Sequence, residues 1–392
     1  METVLKPSKR QIQMAISFVA VIGIAAFTFA ISPRPVPSNI TSSLPENVAD
    51  EKVYVALEGS GKVAVVDSSS SEIISVIDLS EKENEQIVRY MAHNIQVSPD
   101  GKRVIVTANV EETMDMENDA MPDGSSMPHG QYFDQLVVID PLSDRIVQRI
   151  PIEIDSHLAH VVLSPDSKTA FVTLQEKGTL YSVDIENSKI INKIDLGAKS
   201  GPHGLRMSPD GSEAIIALLD GKSVAILNTK TNGVRKLQMP GAVVQTAVTP
   251  DGTYLFASIY DVRQIAWLNR QNGEQGLLSL PGGSRGPVQI YPTPDSRYLY
   301  IADQGYYFNQ PTGNVVYRID IANKVVDKTI AAGSAPHGVV VDSTGTRVYV
   351  TNLLSDDLSV IDTATGKEIA RITVGEMPNG VSIWNKKTGG TP

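Results

Sequence analysis

The chain carries six histidines and no cysteine, and four of the histidines recur in one local setting. Pro202-His203-Gly204 and Pro336-His337-Gly338 are matching tripeptides. Ala92-His93-Asn94 and Ala159-His160-Val161 are looser copies, and Pro378-Asn379-Gly380 has Asn in the His place. Neutral imidazole is a ligand for zinc, copper, iron and nickel, and thioether sulfur favours Cu(I). Rings of this kind brought to one spot would bind a transition metal. An insertion at residues 111–134 adds Met114, Met116, Met121, Met127 and His129, which makes copper the favoured ion. The expected site uses His93, His160, His203 and His337 as ligands, with His129 and Met127 as a movable lid. His157, just before His160 in the chain, is expected to be exposed. A purely structural account competes: Pro fixes the strand entry, Gly admits a neighbouring backbone, and His bonds a carbonyl across a seam.

Other chemistry is narrowed by composition. Without cysteine there is no disulfide, no c-type haem attachment, no thiolate zinc or blue-copper site and no thiol catalysis. A formal charge of −10 and a pI near 5.2 argue against nucleic acid, since no basic stripe is present to neutralise phosphates. Asp115, Glu117 and Asp119 alternate like calcium ligands. Ala120 stands where such a loop needs Gly, however, and Ser126 where it needs a bidentate Glu, so an EF-hand is rejected. Gly282-Gly283-Ser284-Arg285-Gly286 fits the G-x-S-x-G pattern but lacks the strand before and helix after that a nucleophile elbow requires. No residue set identifies a catalytic step.

The elements that must position these residues are strands. From Glu51 onward, short alternating apolar runs are separated by turns such as Pro99-Asp100-Gly101 and Pro209-Asp210-Gly211. They repeat every ~40 residues, the spacing of propeller blades. One unit runs from His337 through strands at 338–341, 348–352, 358–362 and 367–374, and the same frame fits from His93, His160, His203, Val244 and Val288. Residues 53–79 lack a first strand, which 379–384 can supply. The expected fold is therefore an all-β, seven-bladed propeller of four-stranded antiparallel blades, its first blade closed by the C-terminal strand. It spans 51–385, with 386–392 as a tail.

Aligning the junctions before the first strands gives His93, His160, His203, Gln245, Gln289, His337 and Asn379 around one channel mouth. His160, Gln245 and Gln289 are five residues before the turn Pro, His93 and His203 six. A one-residue slip reverses a strand side chain, so not all seven need point inward. The insertion 111–134 and a second one at 303–314 should both overhang this mouth.

The N-terminus reads as a targeting element. Lys6, Lys9 and Arg10 precede an uncharged apolar run at 14–31, about long enough to span a bilayer. Residues 1–32 are read as a signal anchor or signal peptide and 33–50, with four prolines, as a tether. Basic residues ahead of the apolar run put the propeller outside the cytoplasm, with this helix as its only membrane contact.

Val348-Tyr349-Val350-Thr351-Asn352, followed by Leu358-Ser359-Val360-Ile361-Asp362-Thr363, resembles the repeat that names the YVTN family of propellers. Val172-Thr173 with Leu180-Tyr181-Ser182-Val183-Asp184, and Val53-Tyr54-Val55 with Val63-Ala64-Val65-Val66-Asp67, are weaker copies. The resemblance covers residues 51–384 and implies the fold. It does not imply one function, because such propellers host enzymes, cofactor sites and binding surfaces. The family is similar to the propeller parts of nitrous oxide reductase and of haem-d1 nitrite reductase, and also to lactonases and surface-layer proteins. Nitrous oxide reductase implies the position of a metal but not its activity; its propeller has more histidines and its electron-entry domain needs cysteines. The haem-d1 comparison lacks its c-type haem partner unless another chain supplies it. The expected protein is thus a monomeric extracytoplasmic propeller that binds a transition metal, with a redox or envelope protein as partner. One alternative is a non-enzymatic scaffold for a protein, peptide or envelope component. Another is a lactonase-like hydrolase using Arg206, Arg263, Arg285 and Arg318 against an anionic substrate.

Overall fold

Outer strands alternate exposed residues with half-buried or buried ones, as Lys367–Thr373 does, whereas Val348–Val350 and Leu358–Ile361 are buried without a break. That contrast is what a blade packed between two others requires, with only its outer edge in water. The computed structural model describes residues 48–83, 86–111 and 132–390. They form seven radially arranged antiparallel sheets plus a small hairpin, Glu81–Glu83 with Gln86–Val88. The expected propeller and blade count are both found.

Within a blade the strands follow chain order from the channel outward. Blade 7 is Pro336–Val341, Arg347–Asn352, Asp357–Asp362 and Lys367–Thr373. Blades 2 to 6 begin with the inner strands Tyr90–Val97, Leu158–Leu163, Pro202–Met207, Val243–Val248 and Pro287–Pro292. Blade 1 takes Glu51–Leu57, Lys62–Asp67 and Glu72–Asp78 from the start of the propeller and Pro378–Asn385 from its end, in register Val53↔Ile383 and Tyr54↔Ser382. This closure leaves no free inner edge. The segment read as a tail also contributes order, because Gly389–Gly390 pairs with Trp384 and Asn385 as a fifth strand. The core lies between blades, where for example Leu136, Val138 and Ile150 of blade 2 meet Leu158, Val161 and Val172 of blade 3.

Every inner strand carries one extra residue near its start. Leu158 pairs with Leu174 and Val161 with Val172; Pro202 pairs with Leu218 and Leu205 with Ile216. Such a bulge frees a backbone N–H that would otherwise join the ladder. A hydroxyl on the second strand takes it up. Thr173 Oγ1 accepts the His160 N–H at 2.9 Å and donates to the His203 carbonyl of blade 4 at 2.8 Å. Thr351 does the same between the Gly338 N–H and the Asn379 carbonyl, at 2.7 Å each, and Ser258 between Gln245 and Val288. The Thr of Val-Tyr-Val-Thr-Asn is therefore a rivet between successive inner strands.

Residues 1–32 and most of the tether lie outside the described residues, as does most of the insertion at 111–134. Among the described residues no helix is long and apolar enough to cross a membrane.

Candidate functional site

The bulges decide which junction side chains reach the channel. His93, His203, His337 and Asn379 directly follow the last paired residue before the bulge, whereas His160, Gln245 and Gln289 come one residue later. The loop-out lets both kinds face the same mouth, so the slip does not turn the second group away. Glycine makes the room. A Cβ on Gly204 would lie 2.3 Å from Gln245 Oε1, and one on Gly338 2.3 Å from the Asn379 carbonyl.

His93, His160 and His203 converge, with one nitrogen of each within 4.8 Å of the others. Their ring centroids are 5.0 Å apart for His160–His203 and 5.9 Å for His93–His203. His337 opens onto the same mouth but is not in this group. His157 is a correction: it is half-buried, with its ring edge-on to His93 at 5.2 Å. The cause is Asp134, whose carboxylate collects the N–H groups of Val110, Ser156 and His157 and the Ser156 hydroxyl. This draws the chain back over the mouth.

Each ring's other nitrogen has a definable role. His203 Nδ1 is 3.0 Å from the Val244 carbonyl, which can only accept, so the proton is on Nδ1 and Nε2 keeps its lone pair. His93 Nδ1 faces Glu58 Oε1 at 3.4 Å and its buried Nε2 has no partner. Glu58 also accepts the Asn379 amide at 2.6 Å and the Tyr307 hydroxyl at 2.8 Å. Burial alone would raise its pKa, but His93 and these donors outweigh it and hold the carboxyl well below the usual range.

His160 is different. The Thr246 N–H donates to Gln245 Oε1 at 2.8 Å, Gln245 Nε2 to Gln289 Oε1 at 2.5 Å, and Gln289 Nε2 lies 3.1 Å from His160 Nε2. A backbone donor thus sets the direction of the relay, and His160 Nε2 must accept. The neutral ring carries its proton on the buried, unpartnered Nδ1. His337 follows suit: the Tyr307 N–H donates to Gln304 Oε1 at 3.4 Å, so Gln304 Nε2 donates to His337 Nδ1 at 2.7 Å and Nε2 bears the proton. Burial first, and then neighbouring imidazoles, bring His203 and His337 down to about 3 and His157 to about 4, and place His160 well below its ordinary value. These rings are neutral at pH 7.

The second insertion reaches the site as expected. Its one-turn 3-10 helix, Tyr306–Phe308, sets the Tyr307 ring 5.6 Å from His337, while Phe308 stacks on Tyr260. His129 and Met127 fall outside the described residues. Ser284 spends its hydroxyl on Asp303 at 2.6 Å inside a loop, consistent with the chance G-x-S-x-G match. The four arginines do not gather: Arg318 pairs with Asp327, Arg263 faces Gln310, and Arg206 alone of the four lines the channel cavity.

Sequence reading missed Glu58 and Gln304. Each directly follows the second strand of its blade counted outward from the channel, on the connection that faces the His mouth. That position, read across blades, was the available signal.

A seven-bladed propeller with a buried histidine cluster at one mouth is the class that this fold and site define. No family model matches the chain, and no curated protein does. Solved propellers are similar to it. A functionally unknown protein from Desulfotomaculum acetoxidans shares 18% identity over 85% of this chain and 98% of that one, with a TM-score of 0.64. Dihydro-heme d1 dehydrogenase NirN in complex with DHE shares 16% over 87% and 67%, with a TM-score of 0.57. Virginiamycin B lyase from Staphylococcus aureus shares 14% over 76% and 93%, also at 0.57. At these identities the common feature is the fold.

Proposed function

We propose that the protein binds one transition-metal ion, copper before zinc, at the channel mouth through His93, His160 and His203. The observation that carries this reading is the convergence of three imidazoles within 4.8 Å, two of them backed by Glu58 and the Val244 carbonyl. A ligating His usually gives its other N–H to a carboxylate or carbonyl, which orients the ring and raises its basicity. An ion with bonds of 2.0–2.1 Å sets tetrahedral ligands roughly 3.3 Å apart, so the rings would close by about an ångström. His160 would have to exchange its proton between nitrogens, turning Gln289 at a cost of about 1–2 kcal/mol for the lost amide contact. His129 and Met127 are the candidates for a lid over the open face, where a thioether would favour Cu(I). In this reading the site is displayed outside the cytoplasm, where a redox or envelope partner would meet it.

The test is metal content of untagged, full-length protein after copper or zinc loading and desalting. About one ion per chain is expected, lost in His203→Ala. Less than ~0.2 ion per chain in the wild type, or full retention in His203→Ala, would sink the proposal.

A further inference from the structure

Below the histidines lies a cation without a counter-ion. Arg206 follows His203 on the inner strand of blade 4 and is half-buried, and it lines a cavity inside the ring shared with Asn94, Gln96, Gln289, Tyr291 and Ser382. Its Nη1 donates to the Leu205 carbonyl at 2.9 Å, and its guanidinium carbon is 5.6 Å from the Tyr291 ring centroid. Among the described residues no carboxylate comes within ion-pair distance. Two others differ: Arg270 sits 2.9 Å from Glu213 and Arg318 2.5 Å from Asp327. Burial lowers the Arg206 pKa with little to offset it, as expected where lost hydration is not replaced by a partner.

A partly buried charge left unpaired is costly in proportion to the hydration it has lost, and the cavity offers a remedy. No acid lines it. Asn94 Oδ1 accepts the Val161 N–H at 3.1 Å, which leaves the Asn94 amide hydrogens as further donors. The space the cavity leaves is small and suits one compact guest. A compact halide suits so small a space better than a carboxylate or tetrahedral oxyanion does.

We propose that Arg206 holds a single halide-sized anion, chloride in ordinary solution, in the channel cavity beneath the histidine cluster. The ion balances a fixed positive charge next to His160, and its site is complete whether or not a metal occupies the mouth.

Full-length crystals grown or soaked in bromide should show an anomalous peak within hydrogen-bonding distance of the Arg206 guanidinium; its absence overturns the proposal. In solution, Tm is compared in sodium chloride and sodium gluconate at equal ionic strength, because gluconate is too large for the cavity. The chloride-minus-gluconate difference should be larger by about 2 °C or more in the wild type than in Arg206→Met. An equal difference in both proteins refutes it. Running both on metal-stripped protein separates this outcome from that of the metal proposal, since the halide effect should survive stripping. If Arg206→Met does not fold, the bromide peak alone decides.

Discussion

The seams between blades 1 and 2 and between blades 6 and 7 are built alike and wired oppositely. In each, the residue after a second strand reaches Nδ1 of the next blade's junction histidine: Glu58 to His93, Gln304 to His337. The carboxylate can only accept, so His93 donates to it from Nδ1, and the neutral ring then has its lone pair turned inward. The amide, oriented by the Tyr307 N–H, donates, so His337 turns an N–H inward. One geometry thus yields a ring ready to ligate and a ring that is not, and the chemical difference is a single oxygen against an NH₂. His203 belongs with His93, and His160 with His337. Location at the mouth is therefore not sufficient for a histidine to be ready to ligate; the polarity of its outer partner sets the tautomer it presents.

The largest way to break this comparison is Glu58→Gln, which should weaken metal binding by about 100-fold in chelator-competition titrations. An unchanged affinity would mean that the carboxylate does not matter. Gln289→Glu should sharpen it from the other side. A carboxylate there accepts from His160 Nε2, freeing Nδ1 as a ligand, and affinity should rise about 10-fold. Gln304→Glu should lift the His337 pKa from about 3 by about two pH units through the added opposite charge, read from its ring resonances by NMR.

Acid should act on the metal-free chain in one direction. His203 and His337 titrate near 3 and His157 near 4 when folded, against about 6.5 when unfolded. Below pH 6.5 the unfolded chain takes up protons that the folded one refuses. Stability is flat above that value and falls as pH drops towards 4, by up to about 1.4 kcal/mol per pH unit for each such ring. Denaturation at stepped pH should show this slope, and His203→Gln should make it shallower. The smallest effect belongs to Tyr307→Phe, which removes one hydroxyl donor to Glu58 and should lower Tm by about 2–3 °C.

The propeller was legible because strand alternation and the repeat period are properties of neighbouring residues, and because an incomplete first unit and an orphan last strand point to one another. The four histidines were legible as a positional repeat. Glu58 and Gln304 were not, since a hairpin-tip residue acquires its partner only when the next blade is placed beside it. Nor was the reach of His160, which depends on a bulge that shifts strand parity without any marker residue of its own. His157 looked like a solvent-facing residue because the carboxylate that folds it back, Asp134, lies on the far side of a long insertion.

The closing strand has a consequence for how the chain comes off the ribosome. Asn379, from the last strand, donates to Glu58, from the first blade, beside His93 of the second. These three residues are separated by nearly the whole of synthesis, so a nascent propeller has its cluster unanchored until its final strand slots in. Metal uptake would then report on completion: a prematurely terminated chain could fold several blades and still fail to load.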